Sequence, residues 1–252
     1  MSSLKNQAAL ITGASYGIGQ ASAIALAQAG FDIIITDLNT DSLNQTLEKV
    51  KACGVKVLPL SLNITLQDSI DQALSKAFEA FPYLNTLVNN AGLPSLRKLA
   101  IDTTRLEWEN IINTNLTGTF FMSTSFAKHL IKNQMQGSII QLASTHGLVG
   151  FQGASTYGIS KAGIIHLSKM LAIELAPHQI RVNSIAPGTT FTESRAPSLE
   201  DPVRKAEMLN RVPLGRFAQS DEIAGAVTYL ASDLASFMTG QTLTLDGGLT
   251  VY

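Results

Sequence analysis

Short apolar runs alternate with helical segments along nearly the whole chain, and this alternation restricts the fold more than any other feature. β-rich runs occupy 8–12, 32–36, 55–60, 86–89, 138–143, 180–186 and 242–245. Between them, helical periodicity marks 17–29, 41–52, 66–80, 104–133, 154–176 and 220–231. Strands that are apolar throughout must be covered on both faces, and intervening helices supply that cover when the strands run parallel. The expected architecture is α/β: a doubly wound parallel sheet of about seven strands with helices on both faces. Apolar residues make up 45% of the 252 positions and charged ones 15%, enough for one large core. No repeat, low-complexity segment or linker interrupts the pattern, so 1–252 reads as a single domain.

Charge and composition exclude several classes. A formal net charge of −1, with basic residues scattered along the chain, offers nothing to nucleic acid or an anionic membrane. The first apolar stretch ends at Thr12-Gly13, too short for a signal-peptide core or a membrane span, and a cytoplasmic protein is expected. Cys53 is the single cysteine, so no intrachain disulfide forms, and it reads as a structural thiol in a reducing compartment. The histidines at 129, 146, 166 and 178 lack partners at ligand spacing, and no catalytic metal is expected.

A glycine turn follows the first strand: Thr12-Gly13-Ala14-Ser15-Tyr16-Gly17-Ile18-Gly19, then an alanine-rich helix. Gly13 permits a sharp turn, Gly17 lets backbone approach a pyrophosphate, and Gly19 lets the helix pack close to the strand. The helix amino end would present N–H groups and partial positive charge to the phosphates. The spacing is Gly-x-x-x-Gly-x-Gly rather than the commoner Gly-x-Gly-x-x-Gly. Asp37 closes the second strand 18 residues past Gly19, where an acid accepts hydrogen bonds from the adenosine ribose. A carboxylate there repels a 2′-phosphate, and neither Tyr16 nor Leu38 compensates, so NAD(H) is expected over NADP(H).

Tyr157 and Lys161 lie four apart in a helical segment and share one face. A cation about 4 Å from a phenol favours the phenolate by roughly 4 kcal/mol at an effective dielectric of ~20, or about three pKa units. Such a phenol exchanges a proton with an alcohol or carbonyl near neutral pH. The stretch 188–213, rich in Thr, Ser and Pro, breaks the strand–helix rhythm after a strand carboxyl end. It reads either as a substrate lid or as an ordered oligomer contact.

Taken together, these motifs resemble the short-chain dehydrogenase/reductase family over essentially the whole chain. The matching residues are Thr12 to Gly19, Asn89-Asn90-Ala91-Gly92, Asn115, Ser144, Tyr157 and Lys161, Pro187-Gly188, Pro213 to Arg216 and Asp246-Gly247-Gly248, with 13 residues from Ser144 to Tyr157. The resemblance implies a Rossmann-like fold and hydride transfer between a nicotinamide and a secondary alcohol or ketone, with 3-oxoacyl-type or sugar and polyol substrates. It implies Tyr157 as general acid/base, Lys161 as the group that lowers its pKa and binds the nicotinamide ribose, Ser144 on the substrate oxygen, and Asn115 holding a relay water through a helix irregularity.

For the cofactor the resemblance implies Gly13, Ser15, Tyr16, Gly17, Ile18, Gly19, Asp37, Asn63, Ile64, Asn90, Ala91, Gly92, Tyr157, Lys161, Pro187, Gly188, Thr190 and Thr192. Asn63 stands where most relatives carry an aspartate, and its carbonyl would accept from the adenine amine. By position, Leu93, His146, Gln152, Phe191 and Arg195 are candidate pocket residues; His146 is equally readable as a loop histidine. Relatives are usually homotetramers, and Phe120, Phe121, Phe126, Ile164, Leu167 and Met170 spread apolar surface around the two long helices. Leu249 to Tyr252 would dock on a neighbouring subunit. The alternative is a catalytically silent NAD(H)-binding sensor or scaffold, although such relatives typically lose one of the four catalytic residues and all four are filled here.

Overall fold

The computed structural model describes residues 7–193 and 201–251. Seven parallel strands form one sheet in the order β3-β2-β1-β4-β5-β6-β7: β1 (Ala8–Thr12), β2 (Asp32–Asp37), β3 (Val57–Ser61), β4 (Leu84–Asn89), β5 (Gly137–Leu142), β6 (Ile180–Pro187) and β7 (Thr242–Leu245). The helices are α1 (Gly17–Gln28), α2 (Asn44–Lys51), α3 (Gln67–Ala80), α4 (Arg105–Ile112), α5 (Thr119–Lys132), α6 (Ser155–Leu175), α7 (Pro202–Leu209) and α8 (Ser220–Ala231). The doubly wound parallel fold expected from the alternation is the fold observed.

Period-two alternation divides the core. Leu10, Ile34, Leu87, Ile139 and Val182 face α3, α5 and α6, whereas Ile11, Ile33, Ile35, Val88, Ile140 and Ile185 face α1 and α8. All of these side chains are fully buried. At roughly 25 cal/mol per Å² of apolar surface, burial of each such side chain contributes about 1.5–3 kcal/mol.

Besides shifts of one or two residues at other strand ends, three elements differ from the sequence expectation. The helix anticipated over 104–133 is broken by a π-helical segment, Asn113–Gly118, between α4 and α5. Its cause is local: the buried Asn115 side chain is drawn out to Leu93, and Gly118 packs where a Cβ would lie 2.7 Å from the Ile64 carbonyl oxygen. The helix expected over 41–52 opens with a 3-10 turn, Thr40–Leu43, capped by the Asn39 side chain. β3 begins at Val57 rather than 55, and the Lys56 N–H donates instead to the Asp32 carboxylate at 2.8 Å.

Sheet order reverses between β1 and β4, and open α/β sheets bind ligands at such a switch point, beyond the strand carboxyl ends. Gly13, Asp37, Asn90, Ser144 and Gly188 each follow or close one of those ends.

Candidate active site

The glycine turn is built by close approach. Gly13 has φ +64°, and a Cβ on it would lie 2.9 Å from Ala91 Cα. A Cβ on Gly19 would lie 2.1 Å from the Gly13 carbonyl oxygen, so α1 can start this near β1 only with glycine there. The Asn90 amide donates to the carbonyls of Thr12 (3.1 Å) and Gly13 (2.7 Å), while the Thr12 hydroxyl accepts from the N–H groups of Asn90 and Ala91, both at 3.0 Å. The Asn90 side chain therefore fastens β4 to the turn.

The α1 amino end already holds an anion. The Gly17 N–H donates to the Glu193 carboxylate at 3.1 Å, and Thr192 Cγ2 would be 3.2 Å from a Cβ on Gly17. A carboxylate here stands in for a phosphate, so the turn, its open N–H groups and its missing side chains fit a dinucleotide pyrophosphate. Tyr16 precedes the helix in an extended conformation and is half exposed, and Ile18 packs on the core. Asp37 accepts from Ser15 Oγ at 2.5 Å and from the Leu38 N–H at 2.8 Å.

The Asn63 Oδ1 accepts from the Thr65 N–H (3.0 Å) and the Thr65 hydroxyl (2.7 Å) within its own loop. Ile64 is buried in the core. Beyond β6, Gly188 donates to the Leu245 carbonyl at 2.8 Å, and the Thr190 hydroxyl donates to the Gly188 carbonyl at 3.3 Å. Asp246 braces this end by accepting from Gly248 and Thr250, and those bonds hold its carboxyl below the usual range against the upward pull of desolvation.

Ser144, Tyr157, Lys161 and Asn115 converge beside this cleft. The Ser144–Gly147 turn rides on α6 because Gly158 lies 2.9 Å, measured from a Cβ position, from the His146 carbonyl oxygen. Lys161 is 6% exposed; its ammonium donates to the Leu142 carbonyl at 2.7 Å and lies 5.7 Å from the Tyr157 ring centre. Burial pushes its pKa down to about 8. Asn115 accepts from the Leu93 N–H (2.7 Å) and donates to the Leu93 carbonyl (3.0 Å) and Ser160 Oγ (3.2 Å). Its amide is thus committed to protein partners, and the helix irregularity expected at Asn115 is the π-helical segment Asn113–Gly118.

Of the pocket candidates, His146 is brought to the centre. Its Nδ1 is 3.3 Å from Ser144 Oγ, its ring stacks on Phe151 at 4.0 Å, and it meets the Tyr157 ring edge-on at 5.5 Å. Leu93, Gln152 and Phe191 are exposed; Arg195 lies outside the described residues, as do Tyr252 and part of the expected lid. Phe151, Glu193 and Arg211, whose Cζ lies 4.5 Å from the Phe151 ring centre, were not singled out by sequence. No motif marks them, and only their loop positions between Ser144 and Tyr157 or after β6 could have drawn attention. Among the described residues, no cluster of His, Cys, Asp and Glu could hold a metal ion, and no helix is long and apolar enough to cross a membrane.

Comparison with known proteins follows the same outline. A family model described as enoyl-(acyl carrier protein) reductase matches residues 13–250. The 3-oxoacyl-[acyl-carrier-protein] reductase of Thermotoga maritima is 38% identical over 250 residues, covering 98% of this chain and 99% of that protein. The 2-dehydro-3-deoxy-D-gluconate 5-dehydrogenase of Escherichia coli is 36% identical over 249 residues, covering 98% and 96%. Among solved structures, a candidate 2-deoxy-d-gluconate 3-dehydrogenase from Agrobacterium tumefaciens with bound NADP superposes with TM-score 0.91 at 33% identity, covering 99% of this chain and 98% of that one. An NAD+-bound xylitol dehydrogenase superposes with TM-score 0.93 at 30% identity, covering 98% and 100%.

Proposed function

This chain belongs to the short-chain dehydrogenase/reductase family, and from that premise we propose that it interconverts a secondary alcohol and a ketone using NAD(H), on a 3-oxoacyl-type or sugar/polyol substrate. The relatives are oxidoreductases. One observation carries the reading furthest: an ammonium buried at the end of β5, held by the Leu142 carbonyl and set under the Tyr157 ring beside Ser144.

When bound, the nicotinamide supplies or accepts the hydride. Gly13, Gly17 and Gly19 with the α1 amino end hold the pyrophosphate, flanked by Ser15, Tyr16 and Ile18. Asp37 takes the adenosine ribose, Asn63 and Ile64 border the adenine, and Asn90, Ala91 and Gly92 floor the cleft. Pro187, Gly188, Thr190 and Thr192 border the nicotinamide. During reduction Tyr157 donates its phenolic proton to the substrate oxygen, and Ser144 donates a hydrogen bond to that oxygen as charge develops on it. The Lys161 ammonium stabilises the phenolate left behind and binds the nicotinamide ribose. Asn115 positions the Leu93 loop, and the π-helical break at its backbone gives a water access for reprotonation. Oxidation reverses each step.

NAD(H) is favoured by Asp37, whose negative charge would face a 2′-phosphate with no cation contributed by Tyr16 or Leu38. Like charges about 4 Å apart cost roughly 1 kcal/mol in water and 4 at an effective dielectric of ~20, so NADH should exceed NADPH in kcat/KM by at least about fivefold. The stretches 132–136 and 177–179 carry little positive charge for an acidic carrier protein, which favours small free substrates. A cytoplasmic homotetramer completes the reading. It is supported by Phe120, Phe121 and Met170, exposed at 40%, 45% and 45%, on α5 and α6.

The test is steady-state kinetics on sugars, acetoacetyl thioesters and cyclic ketones with both cofactors. Turnover that prefers NADH is expected. Comparable values with NADPH would overturn the cofactor preference, and NADH binding with no oxidation by any ketone would overturn the oxidoreductase reading.

A further inference from the structure

The loop joining Ser144 to Tyr157 carries a stack that the proton chemistry does not use. The His146 imidazole lies on Phe151 with ring centres 4.0 Å apart and planes inclined by 20°. Arg211, just past α7, places its Cζ 4.5 Å from the centre of the same ring. Imidazole and guanidinium are thus both packed on the Phe151 ring. Through His146 Nδ1 the stack reaches Ser144 Oγ at 3.3 Å. It therefore begins at the reacting oxygen's binding group and ends at a cation.

Among the described residues that cation forms no ion pair, whereas Glu48–Lys51, Lys98–Glu107, Arg105–Glu109 and Arg216–Glu222 are paired. Arg216, in the same segment, is gripped by both Glu222 oxygens at 2.7 Å. Arg211 is exposed and, among the described residues, has only the aromatic contact, which leaves its N–H donors open there. A guanidinium fork matches a carboxylate in bidentate geometry, and an imidazole edge can bond a hydroxyl on the way to it.

We propose that Arg211 is a substrate-binding residue that selects a substrate carrying a carboxylate several carbons from the reacting carbon, namely a polyhydroxy acid or its keto form. The inference rests on the oxidoreductase reading of the same site. A neutral polyol leaves the guanidinium unused, and so does a thioester, whose acyl chain has no charge at that distance. His146 then hydrogen-bonds a hydroxyl between the carboxylate and the reacting carbon.

Kinetics on aldonates and on the alditols of the same carbon skeletons, with NAD+, decide this for the wild type, Arg211→Met and Arg211→Lys. NADH affinity of each variant, measured by calorimetry, verifies the fold and the cofactor site. The wild type should favour the acids. Arg211→Met should raise KM for acids roughly 10- to 100-fold with kcat little changed, since a charged hydrogen bond contributes about 1.5–3 kcal/mol. The effect on alditols should be at least tenfold smaller, and Arg211→Lys should recover part of the loss. An equal loss on both substrates would make Arg211 a mere clasp for the loop and overturn the inference. So would a fall in kcat alone, or wild-type turnover confined to uncharged substrates or thioesters, although the oxidoreductase reading would survive these outcomes. Absence of turnover on any substrate would remove both.

Discussion

Lys161 shows how one residue links stability to chemistry. Its ammonium is kept out of water, donating to the Leu142 carbonyl, and its pKa falls from 10.5 to about 8 through burial. Below pH 8 the group is charged in the fold and the whole burial cost is present. Between pH 8 and 10.5 the unfolded chain holds the proton that the folded chain has lost, so this residue makes stability rise with pH. Lys161→Met lacks that dependence. Across this window the urea-unfolding free energy of the wild type should gain on the variant by up to about 3 kcal/mol. Parallel pH profiles would show that the ammonium is not desolvated. The i,i+4 spacing of Tyr157 and Lys161 was legible in the sequence, because helical geometry alone aligns them. The Leu142 carbonyl was not, because it arrives from β5, which only the tertiary fold brings near.

At the scale of elements, the segment after β6 meets the amino end of α1. Glu193 occupies the N–H of Gly17, where the cofactor phosphates would sit. An anion at a helix amino end contributes about 0.3–1 kcal/mol, and a bound pyrophosphate must displace it. Glu193→Ala should therefore tighten NADH binding two- to fivefold by calorimetry, within the same roughly 0.3–1 kcal/mol range. Unchanged or weaker binding would contradict the contact. The strand–helix alternation disclosed every strand, since continuous apolar runs have few other uses. It hid the π-helical break at Asn113–Gly118, because the apolar periodicity continues across it and the break arises from Asn115 reaching to Leu93 and Ser160. The local bond of the Asn63 oxygen to Thr65 was hidden for a related reason, since no pattern in the sequence marks it.

For the whole molecule, the topology explains why residues from five strand ends meet: the sheet-order reversal between β1 and β4 opens the crevice they border. The order and spacing of the motifs made this arrangement readable in the sequence. The stack of His146, Phe151 and Arg211 was not readable in full, since Arg211 is far in sequence from the other two and meets them only where the segment after α7 returns over the Ser144 loop. Outside the cleft, α5 and α6 expose Phe120, Phe121, Met170 and, at 73%, Ile173. Apolar surface of this extent on two adjacent helices suits burial between subunits. Sedimentation should give a tetramer at micromolar concentration, and Phe121→Asp should reduce its assembly. A wild-type monomer under the same conditions would refute the assembly.

The central claim is that the Tyr157 hydroxyl moves the proton while the cleft holds the dinucleotide independently. Tyr157→Phe, measured for turnover and for NADH affinity together, tests it most directly. The account predicts loss of turnover by about 10²- to 10⁴-fold, the usual contribution of a positioned acid/base, with NADH affinity within a few fold of wild type. Turnover retained at the wild-type rate would contradict it.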